Sequence, residues 1–247
     1  MIRVLRIDME KTFGSYRFYV AVIGIAAGLW LHALENMTYG GGRSGAENLF
    51  LGVRGAGMSL LGFMLCVMGG AFTYCEEQRR GNCRMVILRT GLPKYVAAKV
   101  IGAMISGFLV MVLGKLLALA GMMVMVQVGF HGSIPVLAGG RELEETLFYI
   151  AGNGLLGALL SVVGLAVTTI QPNFFVGLAV PILFYYLWLS LDAWIGFPEY
   201  LSMDCYFQFI PEVWRTWQWQ FFYALVFTCV LSGGLGAVCR KMINRRL

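Results

Sequence analysis

Six long apolar stretches divide this chain, and the segments between them carry positive charge on alternate sides. A membrane-spanning helix needs roughly 20 mostly apolar residues to cross a hydrocarbon core about 30 Å thick. Each of the six stretches comes close to that length or exceeds it. They run at about Phe18–Leu34, Met58–Tyr74, Val100–Val128, Leu147–Ile170, Phe175–Ile195 and Phe221–Val238. The pattern predicts an all-α membrane protein with six transmembrane helices.

Composition supports this interpretation and leaves little chain for a separate soluble domain. Of the 247 residues, 59% are hydrophobic and only 13% are charged, proportions far from those of soluble domains. Residues 1–247 are therefore predicted to form a single transmembrane domain. We expect no cleavable secretory signal, because the first apolar stretch is long enough to span the membrane.

Positive charge is distributed unevenly between the two sides of the predicted bundle. Four of the 19 lysines and arginines precede the first span, six lie between the second and third, and four follow the last, which places 14 on one face. The positive-inside rule makes that face cytoplasmic, so both termini are predicted to be cytoplasmic. The net charge of +6 therefore reports topology and contact with anionic membrane lipid, and it does not indicate a nucleic-acid partner.

The segment before the first span, residues 1–17, has the pattern of an amphipathic helix. At 100° per residue its apolar side chains fall on one face, next to a charged face, which predicts a helix lying on the inner membrane surface. A frayed cytosolic tail is the alternative. The apolar face consists of Ile2, Leu5, Met9, Phe13 and Tyr16.

The two outer connections at Asn36–Gly57 and Gly196–Gln220 differ in character. The first is rich in glycine, which predicts a flexible connection without a fold of its own. The second combines Pro198 and Pro211 with many aromatic residues, a composition typical of the membrane interface. We expect it to form a re-entrant segment, a short helical dip into the outer leaflet, with an ordinary aromatic belt as the alternative.

The loop between the second and third spans is the largest cytoplasmic segment. It opens with the charged run Glu76–Arg80, continues through an apolar run and reaches the break Gly91-Leu92-Pro93. This order predicts a short helix across the inner surface that ends before the third span begins. An ordinary hairpin loop would be shorter.

Small residues recur at helical spacing along the third and fourth spans, for example Gly107 and Gly114, then Gly157 and Ser161. Such rows let another helix approach closely, so they indicate packing seams within the subunit or against a second copy. The third span also holds Lys115, the one basic residue well inside a span. A residue of this kind is a candidate for lining or gating a path. Its alternative role is to snorkel to the outer interface.

Candidate catalytic and metal-binding groups are few. The two histidines, His32 and His131, lie near predicted outer ends, and no cysteine pair has the spacing of a zinc site. Glu76-Glu77 followed by Arg80 resembles the Glu-Glu-x-x-x-Arg motif of intramembrane prenyl-protein proteases, but Gly81 stands where the arginine is needed. No phosphate-binding loop of Walker type is present. We therefore expect no catalytic or metal site and no enzymatic activity of the chain itself.

The chain as a whole resembles the permease subunit of a type-2 ABC exporter, a class that includes bacteriocin-immunity and drug-efflux permeases. The resemblance covers the surface helix, the six spans, the loop helix and the aromatic outer segment, and it is most specific at Phe72–Lys99. The class often has Ser or Thr directly before the proline, where this chain has Leu92. The matching residues are Glu76-Glu77, Arg80-Gly81, Arg89-Thr90-Gly91-Leu92-Pro93, Tyr95 and Lys99.

The resemblance implies a partnership at the plasma membrane of a bacterium. Two permease subunits, identical or homologous, would form the translocation path, and two separate ATP-binding subunits would dock beneath them. ATP and Mg²⁺ would bind those partners, and this chain would hold no cofactor. Closure of the ATP-binding subunits would push on the loop helix, which apolar and charged side chains seat in the partner. The residues expected to make this coupling are Glu76, Glu77, Arg80, Arg84, Met85, Val86, Ile87, Leu88 and Arg89.

Three other functions stay open. An ion-coupled secondary transporter or channel is disfavoured because carboxylates inside the spans are scarce, and a membrane-embedded enzyme because catalytic groups are missing. A passive sensor or immunity protein that binds its ligand without transporting it also fits the pattern. For a transporter, the uniformly apolar spans favour a hydrophobic or amphipathic cargo.

Overall fold

A computed structural model describes residues 2–39, 59–129, 140–198, 200–202, 206 and 213–245. These residues form an all-α fold, whose helices we number in chain order. The helices are α1 (Ile2–Phe13), α2 (Tyr16–Tyr39), α3 (Ser59–Arg79), α4 (Asn82–Thr90), α5 (Leu92–Gly129), α6 (Gly140–Ile170), α7 (Phe174–Ile195) and α8 (Trp217–Asn244).

Five helices in the described part of the chain are long and apolar enough to cross a membrane. They confirm helices at the predicted first, third, fourth, fifth and sixth spans. The predicted second span, 58–74, is not among the five; it falls on α3, a helix of 21 residues. The five candidate spans are Tyr16–Ala33, Leu92–Val124, Glu144–Ile170, Phe174–Ile195 and Trp217–Asn244.

Helix α6 forms the centre of the bundle. Its candidate span is 89% buried, whereas those of α7 and α8 are each 17% buried. It packs against α3, α5, α7 and α8. One apolar helix, α6, therefore lies inside the molecule, and this chain leaves the last two helices, α7 and α8, largely uncovered.

The predicted seams of small residues lie between helices of this chain. At Gly107 of α5, an added Cβ would meet the backbone of Gly157 and lie 2.6 Å from the Cβ of Ser161, both on α6. At Gly154 of α6, an added Cβ would lie 2.6 Å from Val112 Cγ2. The seam along these residues is therefore intramolecular, which decides between the two predicted arrangements at these positions.

The N-terminal segment is helical and packed, which excludes the frayed tail. Helix α1 ends at Phe13, one turn earlier than predicted, and α2 begins at Tyr16. Phe13 makes an edge-to-face contact with Phe18, with ring centroids 5.1 Å apart. Tyr16 was assigned to the apolar face of this helix, but it is 71% exposed because it starts α2 instead.

Both ends of the described chain lie at one end of the bundle, which we call the basal end. Helix α1 packs against the start of α5, where Asp8 pairs with Lys99. The last turns of α8 reach the same region, because an added Cβ at Gly236 would lie 3.4 Å from Val100 Cγ2. The two described ends therefore lie together, as the predicted topology requires.

The predictions for the two outer connections agree only in part with the structure. Helix α2 continues to Tyr39, so the first glycine-rich connection begins later than expected, and residues 40–58 lie outside the described residues. In the second connection, Tyr206 is 2% exposed, and its hydroxyl lies 3.0 Å from the Thr228 hydroxyl of α8. Asn153 of α6 donates to the Tyr206 carbonyl at 3.3 Å. This segment therefore folds onto the bundle at Tyr206, while residues 199, 203–205 and 207–212 of the predicted helical dip lie outside the described residues.

Candidate functional site

The predicted loop helix exists, and two glycines define it. Gly81 precedes α4 with φ 71°, and Gly91 follows it with φ 80°, both in the left-handed region that favours glycine. The Gly91 amide donates to the Ile87 carbonyl at 2.8 Å, which closes the last turn of the helix. The nine residues Asn82–Thr90 are therefore a separate element between α3 and α5, as predicted.

The apolar run of α4 is divided between two faces. Ile87 is 5% exposed and belongs to the core of this chain, and Val86 packs partly against that core. Met85 and Leu88 are 64% and 85% exposed. The expectation that all four seat in a partner is therefore corrected, because a helix with a 3.6-residue repeat turns Ile87 toward its own bundle.

The charged residues that were predicted to couple this chain to a partner also differ in their surroundings. Arg80 and Arg89 are exposed, and the side chain of Arg84 lies outside the described residues. In the last turn of α3, Glu76 pairs with Arg17, and Glu77 pairs with Lys11 and Lys99. Among the described side chains of α4, Met85, Leu88 and Arg89 are exposed, where a partner could contact them.

Glu77 is the centre of a buried ion network that joins three helices. Its Oε1 lies 3.1 Å from Lys11 Nζ of α1, and its Oε2 lies 2.9 Å from Lys99 Nζ of α5. The Tyr95 hydroxyl donates to the same Oε2 at 3.0 Å. Lys99 Nζ also donates to Asp8 Oδ1 of α1 at 2.9 Å. We call Asp8, Lys11, Glu77, Tyr95 and Lys99 the basal network.

Burial makes the basal network sensitive to the loss of Lys99, Asp8 or Glu77. The side chains of Lys99, Asp8 and Glu77 are 5%, 7% and 12% exposed. Breaking a buried pair by removing one partner costs about 3–5 kcal/mol, because the other charge is left uncompensated. The network therefore fixes α1 against the ends of α3 and α5.

The two carboxyls of the network have opposite pKa shifts. Burial favours the neutral form of Glu77, but the nearby Lys99 and Lys11 outweigh it, so the pKa of Glu77 is lowered from its ordinary value of 4.5. For Asp8, burial exceeds the opposing effect of Lys99, and its pKa is raised from 3.8. Asp8 Oδ2 is buried with no hydrogen-bond partner among the described residues, which agrees with a carboxyl that is imperfectly compensated.

A sulfur contact brings α4 into contact with this network. The Cys83 thiol of α4 donates to the Tyr95 hydroxyl at 3.5 Å, and the Tyr95 side chain is fully buried. Burial raises the pKa of the Cys83 thiol, so it stays protonated at neutral pH. A continuous set of contacts therefore runs from α4 through Tyr95 to Glu77, Lys99 and α1.

A second ion pair fixes the start of α2. Arg17 Nη2 lies 2.6 Å from Glu76 Oε1, and the two side chains are 26% and 44% exposed. The adjacent acids Glu76 and Glu77 thus connect α3 to different elements, the first to α2 and the second to α1 and α5. Both acids therefore have a cation of the N-terminal region as a partner, Arg17 for Glu76 and Lys11 for Glu77.

Sequence reasoning missed Asp8, Lys11 and Arg17 as partners in this site. The signal for Asp8 is an acid that shares one helical face with Thr12, and that face turns out to be buried. Thr12 donates its hydroxyl to the Asp8 carbonyl at 2.9 Å. Nothing in the local pattern identifies Lys99 as the partner, because it lies 91 residues further along the chain.

Lys115 lies apart from the basal network. It is 6% exposed, and its Nζ is 4.3 Å from the centroid of the Tyr149 ring on α6. It follows Lys99 by sixteen residues on α5, a rise of about 24 Å. The ammonium therefore lies against an aromatic ring between α5 and α6. Both predicted roles, lining or gating a path and snorkelling to the outer interface, stay predictions.

Comparison with known proteins leaves the family undetermined. No protein-family model, no curated protein and no solved structure matches this chain. Within the described residues, no group of three or more His, Cys, Asp or Glu side chains could hold a metal ion.

Proposed function

We propose that this chain is the membrane-spanning subunit of an ATP-driven exporter of the type-2 ABC class, with six spans that include α3. The observation that carries the proposal is α4. It is a nine-residue helix, set off by Gly81 and Gly91, that exposes Leu88 and Met85 at the basal end. Two large apolar side chains exposed beside the charged Arg89 suit a partner's groove better than open water.

The basal network supports a coupling role for α4. A partner pressing on α4 would act on the buried Ile87 and on the Cys83–Tyr95 contact. Tyr95 and Lys99 belong to the first turns of α5, so displacement of α4 would move the foot of that long helix. In the proposed transporter, this movement converts closure of the ATP-binding subunits into alternating access.

The last two helices offer a surface for a second permease subunit. The candidate spans of α7 and α8 are each 17% buried, and each exposes large apolar side chains such as Leu183, Leu187, Phe222 and Val230. Membrane lipid or a second copy of the chain would cover such a surface. In our proposal a second permease subunit, identical or homologous, covers part of it and completes the translocation path.

Charge supports a cytoplasmic location for the basal end. Arg240 and Lys241 near the end of α8 are exposed, and α1 with Lys11 lies at the same end. The positive-inside rule then places α4 where soluble ATP-binding subunits can reach it. A multi-pass protein of the plasma membrane with both termini in the cytoplasm is the corresponding localisation.

The test is co-purification with an ATP-binding protein that carries the Gly-x-x-x-x-Gly-Lys-Ser/Thr loop and is encoded beside this chain. Leu88→Asp should reduce both binding of that protein and its hydrolysis in the complex by tenfold or more. Lys241→Gln, an exposed cation at the same end but outside α4, should leave both unchanged. Binding and hydrolysis that are equal in the two variants would refute the coupling role of α4.

An ion-coupled secondary transporter is the second candidate, and Lys115 is the observation that favours it. A cation held 4.3 Å from the Tyr149 ring inside a candidate span could respond to a bound anion or to a proton gradient. Transport assays in proteoliposomes that contain this chain alone distinguish the secondary transporter from the exporter. Uptake of a hydrophobic cation driven by a pH gradient without ATP would favour the secondary transporter over the exporter.

A further inference from the structure

A cavity of about 250 Å³ opens beside the basal network, between α1, α2 and α3. Its charged lining comes from Lys11, Arg17 and Arg80, together with Glu76 and Glu77. Its apolar lining comes from α3, at Met68, Gly69 and Phe72. We propose that this cavity binds the phosphate headgroup of an anionic phospholipid. The proposal does not rest on the exporter assignment.

Three cations and two carboxylates line the cavity, and Lys11 and Arg17 pair with the two carboxylates, which leaves the charge of Arg80 in excess. Glu76 pairs with Arg17 at 2.6 Å, and Glu77 lies within 3.1 Å of Lys11 and 2.9 Å of Lys99. Arg80 adds an exposed guanidinium at the mouth. A guanidinium presents a planar fork of donors that matches phosphate oxygens. The cavity therefore offers a net positive surface to an incoming anion.

The lining changes from apolar to charged along a single helix. From Met68 to Glu77 the wall rises by about 13 Å, given 1.5 Å per residue. A soluble anion would gain nothing from the Met68 and Phe72 end. A phospholipid has the same polarity gradient, with a phosphate at one end and ester-linked chains at the other, so it fits both parts of the wall.

Helix α2 also has an exposed apolar face that the bilayer would cover. Tyr19, Val20 and Ile23 follow Arg17 on α2 and are 56%, 52% and 59% exposed. They belong to the candidate span Tyr16–Ala33, so their exposure is toward the hydrocarbon of the bilayer. Arg17 precedes these residues, so a lipid with its phosphate at Arg17 and Arg80 would have its chains at the depth of this candidate span.

The volume of the cavity argues against a cargo site. Pockets for drug-sized ligands measure about 300–1,000 Å³. At about 250 Å³ the cavity is below that range, and it lies at the end of the bundle instead of along its length. It suits a headgroup that stays bound while the chains remain in the membrane.

Native mass spectrometry of the detergent-purified chain, titrated with phosphatidylglycerol or phosphatidylcholine, tests the proposal. Wild type and Arg240→Gln should retain phosphatidylglycerol in preference to phosphatidylcholine. Arg80→Gln should bind phosphatidylglycerol about fivefold more weakly, as expected for one basic residue at an anionic headgroup. Unfolding temperatures without lipid check that Arg80→Gln folds, which its exposed position favours.

Competition with inorganic phosphate distinguishes a site for the lipid from a site for a free anion. If phosphate at millimolar concentration displaces phosphatidylglycerol and raises the unfolding temperature as much as the lipid does, the site binds soluble phosphate and the lipid assignment fails. Equal retention of the two lipids, or equal affinity of Arg80→Gln and Arg240→Gln for phosphatidylglycerol, would also overturn it.

Discussion

The ammonium of Lys99 lies 2.9 Å from the carboxylate of Asp8, although the two residues are 91 positions apart in the chain. Both side chains are more than nine-tenths buried. The pair attaches the first helix of the protein to the foot of its longest helix.

Lys99→Met should destabilise the protein by about 3–5 kcal/mol, because Asp8 and Glu77 would be left buried without their shared cation. Urea unfolding in detergent, followed by tryptophan fluorescence, measures the loss. The double variant Asp8→Asn with Lys99→Met should recover part of it, since one of the two uncompensated charges is removed. If Lys99→Met unfolds at the same urea concentration as wild type, the network does not stabilise the fold.

The two carboxyls should give pH dependences of opposite sign. The lowered pKa of Glu77 stabilises the fold above its unfolded value of about 4.5, and that contribution is lost as the pH falls through the lower folded pKa. The raised pKa of Asp8 means that its contribution is complete below 3.8 and is lost as the pH rises through the higher folded pKa.

Unfolding free energies measured from pH 3 upward should therefore separate the two groups. Glu77→Gln should remove the loss of stability on the acid side of pH 4.5. Asp8→Asn should remove the loss that wild type shows as the pH rises above 3.8. A wild-type profile that both variants reproduce without change would contradict the assigned shifts.

Gly91→Ala should cost about 1–2 kcal/mol, because φ at this position is 80° and a Cβ disfavours the left-handed region. No atom lies within 4 Å of the added Cβ, so the cost is that of the backbone alone. Gly233→Ala is the matched control. It lies inside α8 with equally open surroundings, and it should be neutral or stabilise by up to about 1 kcal/mol. Thermal unfolding of the two variants in one detergent makes the comparison, and equal shifts would exclude a special role for the Gly91 backbone.

Gly107→Ala should destabilise the protein by about 1–3 kcal/mol for a different reason. The added Cβ would meet the backbone of Gly157 and lie 2.6 Å from Ser161 Cβ, and backbone atoms cannot rotate aside. Gly234→Ala on α8, where the Cβ meets no atom within 4 Å, is the control for thermal unfolding. Equal unfolding temperatures of the two variants would mean that α5 and α6 are not packed as closely as the structure shows.

Lys115→Met should leave stability unchanged or raise it, because it removes a buried charge and keeps an apolar side chain of similar length. The cation–π contact with Tyr149 opposes this, with a magnitude of about 2 kcal/mol at a desolvated site. A double-mutant cycle with Tyr149→Leu measures that contact directly. A coupling energy near zero would show that the ammonium does not interact with the ring.

The sequence was sufficient to predict the elements that depend on local pattern. Long apolar runs identified five helices that the structure contains, and the charged opening, the apolar run and the Gly91-Leu92-Pro93 break predicted α4. Gly91 marks the end of α4 because a positive φ is a local requirement. The ends of the helices were less predictable. Helix α5 begins at Leu92, not at Val100, since its first two turns form basal contacts that hydropathy does not register.

The basal network was only half predictable. Glu77 and Lys99 stand out as charges next to apolar runs, but their pairing depends on how α1 docks. Asp8 shares a helical face with Thr12, but this does not predict its burial, because an acid in an amphipathic N-terminal helix is normally solvated. The faces of α4 likewise depend on a rotation about its axis that Gly81 and Gly91 set, so the burial of Ile87 and the exposure of Leu88 could not be separated in advance.

The position of Glu77 between three helices limits how the molecule can deform. A single carboxylate accepts from side chains on α1 and α5 while it belongs to α3. A tilt of any one of these helices must therefore carry the others along or separate an ammonium from its counter-charge, and for Lys99 that separation would occur in a buried environment. These contacts hold the basal ends of α1, α3 and α5 together, whereas Gly14 separates α1 from α2, and Gly81 and Gly91 separate α4 from α3 and α5.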